Sequence, residues 1–402
     1  MGSSSNKTRT AKDYYNLPAP RRVHVLGTGS VGKLVAYAIR GIPNPPPTTL
    51  LVHRPTYIND FEAAGRSISL TTKGVTDSRV GYDLELALPE RRDLHLGHHV
   101  ARDSDKASWN DYVSDEPIHN LVLSVKANST ISALSAIKHR LTPTSTILFL
   151  QNGMGVVEEV NTALFPDPTT RPNYMLGVNS HGVHSNSTFS VTHAGHGTIF
   201  LGLLPRVPLK TLADLPPEER DSVMFAPSSR YLLRTITRTP LLTAVALPPT
   251  ELLQAQIEKL AVNCIINPLT VMLDGRNGDI LHNFALTRTA RLLLAEICLV
   301  LQSLPELRGV LNVKSRFSPE RLEATMVSVA QRTAENISSM LQDVRRGMPT
   351  EVEYINGYIV KRGEEMGIRP VMNYMLMQMV IGKQQLIAKE IDNYMPFGYG
   401  KL

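Results

Sequence analysis

The stretch Val23-His24-Val25-Leu26 runs directly into Gly27-Thr28-Gly29-Ser30-Val31-Gly32, and helical periodicity follows from about Val31 to Arg40. A strand, a glycine turn and a helix in that order constrain the chain more than any other segment. Glycines at these positions let backbone N–H groups approach a pyrophosphate at a helix N-terminus, as in the opening of a dinucleotide-binding βαβ unit. Alone, GxGxxG is a weak signal because glycine turns are common. The flanking strand and helix give it its weight here.

Similar units follow. After the Pro-rich loop 43–47, Leu50-Leu51-Val52-His53 reads as a strand ending at Arg54, and residues 66–90 read as strand and loop. Leu121 to Val125 forms an apolar strand ending at Lys126, a helix is expected over 128–140, and Thr146 to Leu150 leads into Gln151-Asn152-Gly153-Met154-Gly155. Tyr174 to Val178 and the segments around 188–202 close the sheet, the latter with an antiparallel look. Strands alternating with helices predict a mostly parallel sheet covered on both sides. Ligands of such sheets bind beyond the carboxyl ends of the strands. Gly27, Arg54, Lys126 and Asn152 are therefore expected to face one crevice. An acidic residue after the second strand would accept from a ribose 2′-OH, whereas His53-Arg54 offers cations suited to a 2′-phosphate, so NADP(H) is expected over NAD(H). The bland alternatives are a solvated cation at Arg54, a lysine snorkelling at a strand end at Lys126, and a plain turn at Asn152.

From 204 to 250 prolines and mixed charge suggest an insertion or linker, and beyond 251 the pattern is helical nearly to the end. The expected organisation is a flexible tail over 1–21, a Rossmann-type domain over 22–203, the 204–250 region, and a helical domain over 251–402. Helices are expected at about 251–273, 285–303, 318–346, 350–366 and 371–390. With 402 residues and 42% hydrophobic content, two cores can be buried. A net charge of +6 with no Lys/Arg run among aromatics argues against nucleic acid, and no apolar run approaches the roughly 18 residues of a membrane helix. Cys264 and Cys298 lie in apolar helical sequence and read as reduced, buried thiols. The histidines His181, His184, His193 and His196 cluster without HExxH or paired spacing, so no metal is expected. The leader lacks the apolar core of a signal peptide, giving a cytoplasmic expectation with mitochondrial as the alternative.

In the helical half, Lys259, Asn263 and Asn267 recur every four residues, within about 80° on one helix edge, while Leu260, Val262, Ile265 and Ile266 cover the rest. A surface stripe is the bland reading. Two amides, which are poor helix formers and add no charge, suggest a hydrogen-bonding role instead. Asn336, Ser339 and Asp343 recur at i, i+3 and i+7 as a second polar stripe. Thr350 and Glu353 have capping-box spacing. Glu351 sits in the same first turn, where a carboxylate is also helped by the helix dipole, but the cap does not require it.

These pieces resemble the ketopantoate reductase (2-dehydropantoate 2-reductase) family. The matching blocks are GTGSVG at 27–32, SVKAN at 124–128, QNGMG at 151–155, KLAVNCIINPLT at 259–270, ENISSMLQDV at 335–344 and TEVEYINGY at 350–358. The resemblance implies an α/β Rossmann-type NADP-binding domain followed by an all-α domain like the C-terminal part of 6-phosphogluconate dehydrogenases. It implies NADPH-dependent reduction of ketopantoate to (R)-pantoate on the route to pantothenate and coenzyme A. Lys259 then matches the catalytic lysine and Glu351 the active-site glutamate. Asn152, Asn263, Asn267 and Ser339 match substrate contacts, with Asn336 beside them. Gly27, Thr28, Gly29, Ser30, Val31, Gly32, Arg54, Lys126 and Asn152 fall to the cofactor. The departures are the N-terminal extension, the 204–250 region, Ile257 where many members have Trp, and Glu353 for the family's Asp. Expected partners are the small substrate and, as the candidate assembly, a homodimer, with neither nucleic acid nor membrane. The alternatives are an NADP-dependent reductase of another branched 2-keto acid, or a non-catalytic NADP(H)-binding regulatory protein.

Overall fold

The computed structural model describes residues 20–88, 109–205, 226–281 and 283–393. The expected tail lies outside them up to residue 19. The chain divides into a sheet unit, comprising residues up to Val125, Ser129–Gln151 and Glu159–Leu252, and a helical unit, comprising Lys126–Asn128, Asn152–Glu158 and the residues from Leu253 onward.

In the sheet unit the order along the chain is β1 (Val23–Leu26), helix α1 (Ser30–Arg40), β2 (Thr48–Val52), α2 (Thr56–Ala63), β3 (Ser67–Thr72), β4 (Val75–Val80) and β5 (Tyr82–Leu86). It continues through β6 (Asn120–Leu123), α3 (Thr130–Ser135), β7 (Thr146–Phe149), α4 (Val156–Ala163, whose first residues up to Glu158 belong to the helical unit), β8 (Asn173–Asn179), β9 (Gly182–Ser187), β10 (Ser190–Gly195) and β11 (Ile199–Leu203). The main sheet has the order β12-β11-β8-β7-β6-β1-β2-β5, where β12 is Val245–Ala246. From β8 to β5 every pairing is parallel, whereas β11 runs antiparallel to β8. Strands β1, β2, β6 and β7 are buried along their whole length, so they read as mostly apolar runs without alternation, with His24, Thr48, Thr49, Asn120 and Thr146 as buried polar exceptions. A second sheet, β4-β3-β10-β9, takes β3 and β4 from the strand material at 66–90, whose β5 joins the main sheet, and the antiparallel look of 188–202 comes from β10 on β9 and β11 on β8. Lys33 joins it to α1. Its side chain is fully buried, and Nζ donates to the carbonyls of Ser187 at 2.6 Å and Ser190 at 3.0 Å, where β9 turns into β10.

Two sequence expectations change here. The helix over 128–140 is cut to α3, flanked by 3-10 turns at Ala127–Ser129 and Lys138–Arg140. Of the 204–250 stretch, residues 206–225 lie outside the described residues, and the rest is not a bare connector. Its helix α5 (Pro227–Thr237) brings the Ser228 and Ser229 hydroxyls each within 2.8 Å of Thr146 Oγ1 on β7, and β12 adds a parallel edge to β11. Buried hydroxyls satisfied against one another allow this helix end to dock without orphaned polar atoms.

The helical unit contains α6 (Pro249–Leu273, whose first turn belongs to the sheet unit), α7 (Phe284–Ser303), α8 (Val313–Arg316), α9 (Pro319–Arg332), α10 (Ser339–Arg345), α11 (Val352–Glu365) and α12 (Val371–Asn393). Its core gathers Ile257, Ile265, Ile297, Phe317, Leu341 and Ile359 from these helices, and both cysteines are buried free thiols. The single helix expected over 318–346 is two. Ser338 takes the N-cap of α10, its hydroxyl accepting from the Leu341 N–H at 3.1 Å, so Asn336 precedes the helix and the proposed stripe is not continuous.

Pro268 sits inside α6 and cannot donate to the carbonyl of Cys264, four residues earlier. That carbonyl is satisfied instead by Asn356 Nδ2 at 2.9 Å from α11, and Asn356 is wholly buried. Asn356→Ala should therefore lower unfolding stability by about 2 kcal/mol, the range for stranding a buried acceptor. Urea unfolding of the variant checks this, and an unchanged midpoint would mean that the carbonyl finds another donor.

Candidate functional site

In the sheet unit the glycine turn has the shape that a phosphate requires. Gly27 has φ +105°, and a Cβ there would meet the Val125 nitrogen at 2.7 Å. At Gly32 a Cβ would come within 1.9 Å of the Gly27 carbonyl oxygen. Ser124 Oγ donates to that same carbonyl at 2.8 Å, tying the end of β6 to the turn. Gly29 is the N-cap of α1 and contributes no side-chain cap, and the first turn of the helix holds no acidic residue. The leading N–H groups of α1 thus remain available to an anion, and a dinucleotide pyrophosphate fits this cradle. At the end of β2, His53 and Arg54 are both exposed, and Pro55 and Thr56 begin α2.

The helical unit holds a connected line of polar groups. Lys259 Nζ, on α6, donates to Asn152 Oδ1 at 2.8 Å. Asn152 Nδ2 donates to Glu351 Oε2 at 3.3 Å, and the Ala127 N–H donates to Glu351 Oε1 at 3.0 Å. Lys126 Nζ pairs with Asp343 at 2.7 Å and lies 3.8 Å from Glu351. The Asn152 loop is seated by its main chain. Gly153 has φ +83° and leaves no room for a Cβ against Tyr354, and the Met154 N–H donates to the Tyr354 carbonyl at 2.9 Å.

Burial strips water from the Lys259 amine and lowers it from 10.5 to about 8, while the Glu351 carboxylate works in the opposite direction. Burial alone would also lower Lys126, but Glu351 and Asp343 together hold it above its ordinary value. Burial raises the Asp343 carboxyl even though Lys126 pulls it down. The line can therefore present one amine near its titration point beside an anchored carboxylate.

Sequence reasoning mistook the role of this turn. Glu351 is itself the N-cap position of α11, no side chain caps that helix, and Thr350 Oγ1 is buried without a hydrogen-bond partner. The capping box of Thr350 and Glu353 does not form: the helix begins one residue later, with Glu351 at the cap position and its carboxylate accepting from the Ala127 N–H and the Asn152 amide. The structure brings Lys259, Asn152, Glu351 and Lys126 together. Asn263 and Asn267 follow Lys259 at successive turns of α6, half-buried and buried respectively. Ser339 opens α10 and is exposed, as is Asn336 in the connection before it. Two members of the line were missed. Asp343 shows only as a third polar residue in a stripe, and the Ala127 N–H is backbone and leaves no side-chain signature. Among the described residues, no group of three His, Cys, Asp or Glu could hold a metal ion, and no helix is long and apolar enough to cross a membrane.

Residues 23–206 match the family model described as Ketopantoate reductase PanE/ApbA, and residues 251–384 match its C-terminal counterpart, Ketopantoate reductase PanE/ApbA C terminal. The chain belongs to the ketopantoate reductase family. As a ketopantoate reductase family member it is an oxidoreductase with the expected architecture, a mostly parallel α/β unit followed by a helical unit. A probable 2-dehydropantoate 2-reductase of Schizosaccharomyces pombe is 29% identical over 365 residues, 88% of this chain and 94% of that protein. Ketoisovalerate reductase BEA2 of Gibberella fujikuroi is 28% identical over 399 residues, 90% of this chain and 83% of that protein. Among solved structures, D-mandelate dehydrogenase with NADH and anilino(oxo)acetate shares the fold with a TM-score of 0.66 at 16% identity, covering 91% of this chain and 99% of that one.

The Lys259 geometry makes a prediction for this ketopantoate reductase family member without cofactor. Its amine should titrate near pH 8, below solvent lysines, and Glu351→Gln should move that titration lower by removing the carboxylate that favours the charged form. NMR of the ¹³C-dimethylated lysines, assigned by Lys259→Arg, reads both values. A Lys259 titration at the ordinary lysine position would contradict the burial argument.

Proposed function

We propose that this protein reduces 2-dehydropantoate (ketopantoate) to (R)-pantoate with NADPH. The observation that carries the reading is the line from Lys259 through Asn152 to Glu351, because reducing a 2-keto acid requires a proton donor at the carbonyl oxygen and fixed partners for the rest of the substrate. The reduced nicotinamide, when bound, supplies hydride to C2. Lys259 hydrogen-bonds the oxygen that gains charge and delivers its proton there, and an amine near 8 is still mostly protonated at neutral pH. Glu351 accepts from the substrate hydroxyl and favours the charged form of Lys259. Asn152, Asn263 and Asn267 hold carbonyl, carboxylate and hydroxyl groups without adding charge, and Ser339 and Asn336 complete the substrate contacts.

For the cofactor, the amides of Gly27, Thr28, Gly29, Ser30, Val31 and Gly32 would receive the pyrophosphate, and Arg54 would receive the 2′-phosphate. Lys126 contributes a further cation and would exchange Asp343 for a phosphate oxygen, and Asn152 would serve the nicotinamide end as well as the substrate. The dehydrogenase of the same fold was solved with NADH, so the fold does not choose between cofactors. The preference for NADPH rests on His53 and Arg54 standing where a carboxylate would select a free 2′-OH.

The Gibberella relative, named for ketoisovalerate, matches the chain about as extensively as the Schizosaccharomyces one. That supports a second reading, an NADP-dependent reductase of another branched 2-keto acid. Ketopantoate is favoured because Glu351 and Ser339 add binding only for a substrate that carries a hydroxyl.

NADPH oxidation should show a higher kcat/KM with ketopantoate than with 2-ketoisovalerate, and higher with NADPH than with NADH. A reversed substrate order would transfer the assignment to the second reading. Lys259→Ala should lower kcat by at least ~100-fold, the lower end for a positioned proton donor. Because the donor must be protonated, kcat/KM for reduction should fall as the pH rises through about 8. A profile flat to pH 10 would remove Lys259 from that role.

A further inference from the structure

At the end of β2 two side chains able to carry positive charge stand next to one another. The His53 ring is exposed, yet it is not loose. It lies 5.6 Å from the Tyr57 ring on α2, tilted by 51°, and Tyr57 meets Phe189 edge-on at 6.4 Å. Phe189 is buried and lies 5.0 Å from the buried Phe61 ring, tilted by 54°. A row of aromatic rings rooted in the core therefore backs the imidazole, and Arg54 follows it in sequence at the carboxyl end of a parallel strand.

We propose that His53 is a second contact for the 2′-phosphate of NADP(H) and takes up a proton when that cofactor, but not NAD(H), binds. This rests on the NADPH reading given above and extends it to the residue that titrates.

The chemistry follows from two groups that ionise close together, a phosphate monoester with a second pKa near ~6 and an imidazole near ~6.5. In the free protein, partial burial and then the Arg54 charge hold His53 below its ordinary value, which favours the neutral ring beside its cationic neighbour. The groups that the structure sets against it are the Arg54 charge on the same turn and the Tyr57 ring on α2. After β5, the described residues Ala87, whose N–H donates to the Val52 carbonyl, and Leu88 carry no charge. A phosphate dianion at this turn reverses the balance and favours the imidazolium, which draws its proton from solvent and donates an N–H to a phosphate oxygen. NAD(H) carries a hydroxyl there and provides no such drive. Affinity for NADPH thus gains from His53 at low pH and loses that gain as pH rises through the imidazolium's pKa in the complex. Ionisation of the 2′-phosphate itself is common to any variant at this position, so a difference between variants isolates the histidine.

The test is calorimetric titration of the full chain with NADPH and with NADH, each in two buffers of different ionisation enthalpy, at pH 6 and pH 8. The proteins compared are wild type, His53→Gln and His53→Phe, the last retaining a ring on Tyr57. Wild type should take up more protons on binding NADPH than either variant does, with no such difference for NADH. Both variants should lose roughly three- to fivefold in NADPH affinity at pH 6, the size of an exposed charge pair, and less at pH 8. Equal proton uptake in all three proteins would overturn the proposal, as would a loss that is the same at both pH values. Wild type binding NADH as tightly as NADPH would instead refute the cofactor reading, and the proposal with it.

Discussion

The polar chemistry of the helical unit depends on one buried carboxylate. Glu351 is 5% exposed, and a charge so placed is tolerated only when its oxygens are taken up by donors. The Ala127 N–H, the Asn152 amide and the nearby Lys126 ammonium meet that requirement. In doing so they bring two otherwise separate loop segments onto the start of α11. Because the carboxylate is spent on them, α11 begins without a side-chain cap. The same carboxylate opposes the loss of the Lys259 proton that burial would otherwise impose. Lysine, amide and carboxylate are thus parts of one electrostatic balance.

The sheet unit solves a different problem, which is to leave backbone donors unspent. A helix N-terminus carries N–H groups with no intrahelical partner, and most proteins cap them with a side chain. Here Gly29 stands at the cap, and glycines at 27 and 32 let the turn close so tightly that a methyl group at either would strike backbone. The helix is held from its buried side instead. Burial brings the Lys33 amine to about 8, and its donation to the Ser187 and Ser190 carbonyls anchors α1 to the second sheet without using the amides at its tip. At Pro268 the missing donor of one helix is likewise supplied by a buried amide of another, Asn356.

Much of this was legible from residue order. The strands announced themselves because a parallel sheet buried on both faces must be continuously apolar, and Lys259, Asn152, Glu351 and Lys126 could be singled out by side-chain chemistry at strand ends and on helix edges. Misreadings arose where local rules lost to tertiary demands. Thr350 and Glu353 have the spacing of a capping box, but the intervening carboxylate was claimed from afar. The run from 318 to 346 has helical periodicity throughout, but Ser338 satisfies the first N–H groups of a new helix and breaks it. Prolines between 204 and 250 suggested an insertion or linker without marking the hydroxyls on α5 that find buried partners on β7.

Sequence by itself determined the class of fold, the glycine turn and the residue types able to donate a proton or accept a hydroxyl, because these follow from periodicity, backbone sterics and functional-group chemistry within a few residues. Tertiary structure alone decided that Glu351 is shared between Ala127 and Asn152, that Asp343 takes Lys126, and that the Lys259 amine falls to about 8. The reason is physical. Hydrogen-bond partners and desolvation depend on which groups from distant parts of the chain exclude water from one another, and no local spacing encodes that.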